Sequence, residues 1–172
     1  MSAAYRVRQF VRAVSAWLQP EDAAQATAIS TLPEAALALF WAMPRYDRYH
    51  AMKVLGTLEA MGHQDPDLMA AALLHDAGKT AGQTGSLRLW HRVAVVLIRS
   101  LAPDLLEQIA QDRPGSWRHP FYVQLHHGEI GAALATEAGC SARTAELIRH
   151  HKGPAGQEDL LLAALKSADE MN

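Results

Sequence analysis

The chain is predicted to be all-α, and three observations carry that expectation. Apolar residues recur at helical spacing along nearly the whole length, no alternating β-branched run is bounded by hairpin turns, and prolines and glycines punctuate the apolar stretches where helices begin and end. In order, the first helix spans 3 to 18, with Val7, Phe10, Val11, Val14, Trp17 and Leu18 on one stripe. A second, 21 to 31, follows Pro20, and a third, 33 to 43, opens on Pro33. The segment 46 to 61 ends before Gly62, and 66 to 77 opens on Pro66 and ends before Gly78. Segments 86 to 100 and 103 to 112 come next, the latter with Pro103 in its first turn. The helix at 119 to 138 stops before Gly139, and 141 to 151 and 158 to 170 complete the set. Two stretches resist helix: "GKTAGQTGS" from Gly78 and "DRPGSWRHP" from Asp112.

A chain of 172 residues fits one domain with a substantial core. Lys plus Arg total 16 against 18 for Asp plus Glu, so the net charge of -2 gives no global attraction to nucleic acid, and no stable nucleic-acid binding is expected. Cys140 is the only cysteine. That excludes an internal disulfide framework or a thiolate zinc cluster, fits a reducing cytoplasm, and leaves nitrogen and oxygen as the ligands for any metal. The longest apolar run, Ala35 to Met43, is about half of what a membrane-spanning helix needs, so no span is expected. The first helix carries Arg6, Arg8 and Arg12 and no acidic residue. Docking of its apolar stripe on the domain is favoured over a transit peptide or membrane-surface helix, and Arg12 interrupts any secretory signal.

The chain has nine histidines, and the informative ones project from apolar faces, where an unsatisfied polar group is costly. His50 shares a stripe with Val54, Thr57 and Met61, and His75 follows Leu68 and Ala71 or Ala72. The first of these helices runs about 17 Å onward to Met61 and the next returns about 12 Å to His75, so the hairpin brings the two rings near each other. His127 lies with Val123, Ile130 and Leu134, whereas His126 keeps to a more polar stripe. His151 follows Thr144, Leu147 and Ile148, with His150 held in reserve on the polar side. Asp169 falls with Leu162 and Leu165, which asks for a partner. His50, His75, Asp76, His127, His151 and Asp169 thus form a set of inward-facing donors on five helices that a metal would satisfy. His63, His91 and His119 lie near turns or mixed faces and carry no such expectation.

The order H...HD...H...H...D, centred on "LLHDAGK", resembles the HD superfamily of metal-dependent phosphohydrolases over residues 46 to 172. "HGEIGAAL" from His127, "LIRHHKG" from Leu147 and "ALKSADEMN" at the end are similar to the bacterial HD diadenosine tetraphosphate hydrolases, and the first two also to the HD-GYP cyclic-dinucleotide phosphodiesterases. After "HHKGP" the glycine-tyrosine-proline element is absent, which demotes cyclic-dinucleotide cleavage. The resemblance implies an HD-domain helical bundle at 46 to 172; residues 1 to 45 fall outside it and are expected, from their own helical pattern, to form an N-terminal helical extension. The resemblance also implies that His50, His75, Asp76 and Asp169 hold one metal and that Asp76 bridges to a second held by His127 and His151. His150 stays eligible because paired histidines both ligate in some HD-GYP proteins.

Imidazole and carboxylate ligation suits a divalent metal such as iron or manganese, with zinc, magnesium, nickel or cobalt as alternatives. Two metals per chain would activate a water for in-line attack on a phosphoryl group. The expected activity is therefore hydrolysis of a nucleotide, a dinucleoside polyphosphate or another small phosphate ester, in the cytoplasm. Asp76 is the catalytic carboxylate in that reading. Lys79 is on spacing alone as readily a solvated loop lysine, but the HD-x-G-K likeness assigns it to charge on the phosphate or to the leaving oxygen. Arg88, Arg92, Lys152 and Lys166 are weaker phosphate-binding candidates. Two other readings are a di-iron oxygenase of the HD type and a non-catalytic sensor or interaction module stabilised by metal. A homodimer is left open.

Overall fold

A computed structural model describes residues 30 to 80, 98, 103 to 153 and 159 to 172. Among the described residues the chain is all-helical, with no strand. The helices are α1 (Glu34–Ala42), α2 (Arg45–Ala60), α3 (Pro66–Leu74), α4 (Pro103–Ile109), α5 (His119–Glu137), α6 (Ala142–His150) and α7 (Leu160–Met171). Helices expected at 3 to 18, through most of 21 to 31 and through 86 to 100 apart from the helical Ile98 lie outside the described residues, as do the candidates Arg88 and Arg92 and also His91.

Proline and short polar side chains start most of these helices. Pro33 and Pro44 precede α1 and α2, Pro66 opens α3, and Pro120 stands in the first turn of α5. Asp65, Ser141 and Asp159 cap α3, α6 and α7, each accepting from a backbone amide three residues on, at 2.9, 3.0 and 3.1 Å. Asp67 also accepts from the hydroxyls of Ser141 and Thr144, tying the start of α3 to the start of α6.

The centre of the fold is α3. Its sequence from Leu68 to Leu74 is apolar all round, and every residue from Leu68 to Gly78 is buried. Such a helix needs neighbours on all sides: α2, α6, α7 and α1 pack against it. One core cluster runs through α1, α2, α3, α5, α6 and α7, with Phe40, Leu58, Leu73, Leu74, Leu147 and Leu165 fully buried. Each such side chain contributes roughly 1.5–3 kcal/mol of burial. A smaller cluster joins α4 to α5 through Leu106 and Phe121.

The stripe expected on α2 is corrected at its far end. Met61 is 46% exposed, and the buried face is made by Asp47, Ala51, Val54, Leu55 and Leu58. His50 therefore stands on the flank of the buried face. Helix α3 also stops earlier than the expected Ala77, because His75 and Asp76 form a turn and Ala77 to Thr80 a 3₁₀ turn.

Candidate metal centre

His75 closes α3. Its Nδ1–H donates to the carbonyl of Ala72, 2.8 Å away on the preceding turn, so Nε2 is left as a lone pair facing forward. Asp76 follows, and the 3₁₀ turn after it returns Lys79 over the carboxylate, Nζ to Oδ2 at 2.6 Å. The same device recurs twice. His127 on α5 donates from Nδ1 to the carbonyl of Gln124 at 2.8 Å, and His151 at the end of α6 donates to that of Ile148 at 2.7 Å. In all three rings the local helix fixes the tautomer and aims Nε2 at the centre.

Three glycines bring these segments close enough. A Cβ on Gly78 would lie 2.0 Å from the carbonyl oxygen of His127 and 2.6 Å from the amide of Gly131. One on Gly128 would lie 2.7 Å from the carbonyl oxygen of Arg149. Glycine inside a helix costs about 1 kcal/mol relative to alanine, so Gly128 and Gly131 are in α5 for the close approach they permit.

The six donors fall into two groups that share Asp76. Its Oδ2 lies 3.6 Å from Nε2 of His75, while its Oδ1 lies 3.7 Å from Nε2 of His127 and 3.9 Å from that of His151. On the Oδ2 side, His50 donates from Nε2 to Oδ1 of Asp169 at 2.9 Å, and Nε2 of His75 is 3.8 Å from the same oxygen. One ligand atom from each of His50, His75 and Asp76 lies within 4.8 Å of the others, and the same holds for Asp76, His127 and His151.

Each group also holds buried polar atoms that the protein atoms alone leave unsatisfied. Nε2 of His75 and Oδ1 of Asp76 are buried without a hydrogen-bond partner. Nε2 of His127 faces Nε2 of His151 at 3.3 Å, and with both protons on Nδ1 neither nitrogen has one to give. Each buried unsatisfied polar atom costs about 1–3 kcal/mol. A cation removes the penalty at every one of them. These buried His/Asp clusters can hold a metal ion.

Their ionisation states fit that role. Burial lowers His127 to about 4, helped by the Lys79 ammonium, and lowers His151 to about 2, helped by the neighbouring His75 and His127. Burial also lowers His75, against the opposing pull of Asp76 and Asp169. Burial pushes the Asp76 and Asp169 carboxyls upward, but their neighbours outweigh it: Lys79 first of all holds Asp76 well below the usual carboxylate range, and the His50 hydrogen bond, followed by His75 and Lys152, does the same for Asp169. Neutral imidazoles and ionised carboxylates are the forms that ligate.

The remaining candidates are dispersed. His150 is exposed and outside both groups. Lys152 is exposed along its length but seats its ammonium on Oδ2 of Asp169, while Lys166 donates to the carbonyl of Gly153. His119, given no role from the sequence, is buried, with Nδ1 lacking a hydrogen-bond partner and standing 3.8 Å from Asp112. The sequence reading also missed Gly128 and Gly131, although "HGEIG" displays two glycines within an otherwise helical pattern. No protein-family model, curated protein or solved structure matches the chain, so the reading of the centre rests on its own residues.

Proposed function

We propose that this chain is a metal-dependent phosphohydrolase of the HD type, acting on a nucleotide, a dinucleoside polyphosphate or another small phosphate ester. The observation that carries the reading is the position of Asp76, with Oδ2 toward His75 and Oδ1 toward His127 and His151. A carboxylate with its two oxygens turned to separate imidazole groups suits a bridge between two metals. His50, His75, Asp76 and Asp169 would hold one, and Asp76, His127 and His151 the other. Iron or manganese suits the mixed donor set, and zinc is an alternative.

Metals held there would supply Lewis acidity, lowering the pKa of a water and polarising a phosphoryl oxygen. The chain's own residues do the rest. Asp76 anchors both groups, and the three Nδ1–H bonds keep the rings from turning. Lys79, with its side chain 14% exposed, places a cation where charge builds up on a transferred phosphoryl group. Lys152 puts a second ammonium at the rim, beside Asp169, where an anionic substrate arrives.

The test is elemental analysis of the anaerobically purified chain, paired with phosphate release from nucleotides and dinucleoside polyphosphates. Near two metals per chain and turnover, both lost in Asp76→Ala, are expected. Wild-type protein that takes up no iron, manganese or zinc would end the catalytic reading. Metal with oxygen uptake but no phosphate release would replace it with the di-iron oxygenase.

A further inference from the structure

A cavity of about 210 Å³ opens beside the metal centre, lined by Tyr46, Tyr49, His50, Lys53 and Asn172. The first four stand at helical intervals on one face of α2, on the opposite side from the buried Ala51, Leu55 and Leu58. Asn172 closes the far wall, its amide donating to Thr57 Oγ1 and to the carbonyl of Ala168, both at 2.8 Å. His50 belongs to both sites, since its Nε2 reaches Asp169 in the centre.

The lining has a definite chemistry. The Tyr49 ring offers a flat apolar surface with a polar tip, suited to stacking a planar ring. The Lys53 ammonium lies 5.5 Å from the centroid of the Tyr49 ring and has no carboxylate partner among the described residues. An uncompensated cation over an aromatic face suits an anion attached to a ring system. The volume is below the roughly 300 Å³ at the lower end of pockets that enclose a whole drug-sized ligand, so the cavity takes one end of a molecule rather than all of it.

We propose that this cavity is the subsite for the base end of a nucleotide, with the base on the ring of Tyr49 and the phosphate chain running past Lys53 toward the His50 side of the centre. The proposal rests on the phosphohydrolase reading and narrows its substrate to a phosphate carrying an aromatic base. The subsite selects by stacking, so it tolerates different bases but discriminates against a phosphate chain without one.

The experiment is isothermal titration calorimetry of the full chain, as purified, with two non-hydrolysable probes. These are adenosine 5′-(α,β-methylene)diphosphate and methylenediphosphonate, which share the phosphorus chain and differ in the nucleoside. The nucleotide probe binds about tenfold or more tightly than the base-free one, Tyr49→Leu removes the preference, and Tyr49→Phe retains it. Lys53→Met, at an exposed position, weakens both probes. Equal affinities, no binding of either probe, or an undiminished preference in Tyr49→Leu would overturn the subsite. The metal content of the same preparation is read separately, so failure of the metal centre and failure of the subsite give different results.

Discussion

The two halves of the centre differ in depth. His127 and His151 have side chains 5% and 0% exposed and sit where α5 and α6 are drawn together at glycines, whereas His50 is 17% exposed on the flank of α2 and borders an open cavity. Ligand chemistry is nearly the same on both sides. What differs is access: the deep half is enclosed by backbone packing, and the rim half is joined to solvent through His50, Lys152 and the cavity. Depth of this kind favours retention of a metal, and a rim favours exchange and substrate entry.

Breaking the deep half should have the largest effect. Gly78→Ala drives a methyl into the carbonyl of His127 and should destabilise the chain by about 3 kcal/mol or more, read as a lower urea midpoint. Gly56→Ala, on the exposed side of α2 with open space around it, should leave the midpoint unchanged or raise it slightly, so equal losses would remove the distinction. On the two-metal reading proposed above, brief chelation should then separate the halves: one metal leaves early and a second slowly, with the early phase accelerated in His50→Ala and the slow one in His151→Ala. Loss in a single phase would show that depth does not govern retention.

Acid should act on the deep half as well. His127 falls from 6.5 to about 4 on folding, so between those values the unfolded chain binds a proton that the folded chain refuses. Stability is therefore lost as pH falls through that window, and the lowered His75 and His151 act in the same direction. The melting temperature of the metal-free chain should drop by roughly 5 °C or more between pH 7 and pH 4, with a shallower slope in His127→Gln. A flat profile would contradict the burial of these rings. The smallest effect belongs to the rim: Lys152→Met should change stability by less than about 1 kcal/mol, because half of its side chain is in water.

The described helices were legible because apolar period and boundary residues agree. Pro66 with Asp65 ahead of it opens α3, Ser141 caps α6, and Gly139 follows the end of α5. The boundary at His75 was less so, since 3.6-residue periodicity continues through a 3₁₀ turn with little change over so few residues. Facing directions revealed His75, His127 and His151 because a buried imidazole contradicts its apolar company. Lys152 gave no such signal: an exposed lysine after a helix reads as solvated, and only the fold shows Asp169 beneath it. The Tyr46, Tyr49 and Lys53 face was hidden for a similar reason, being ordinary surface until α7 lays Asn172 across it.

His75 and His151 stand at the C-terminal ends of α3 and α6, so two helices point their negative poles into one small volume. Each pole carries on the order of half an elementary charge of partial negative character. Together with Asp76 and Asp169 they make a potential that draws cations and turns anions away. Lys79 on Asp76 and Lys152 on Asp169 are the chain's own counterweights to it. The polarity of two helix ends thereby adds to the two carboxylates in favouring positive charge at the centre.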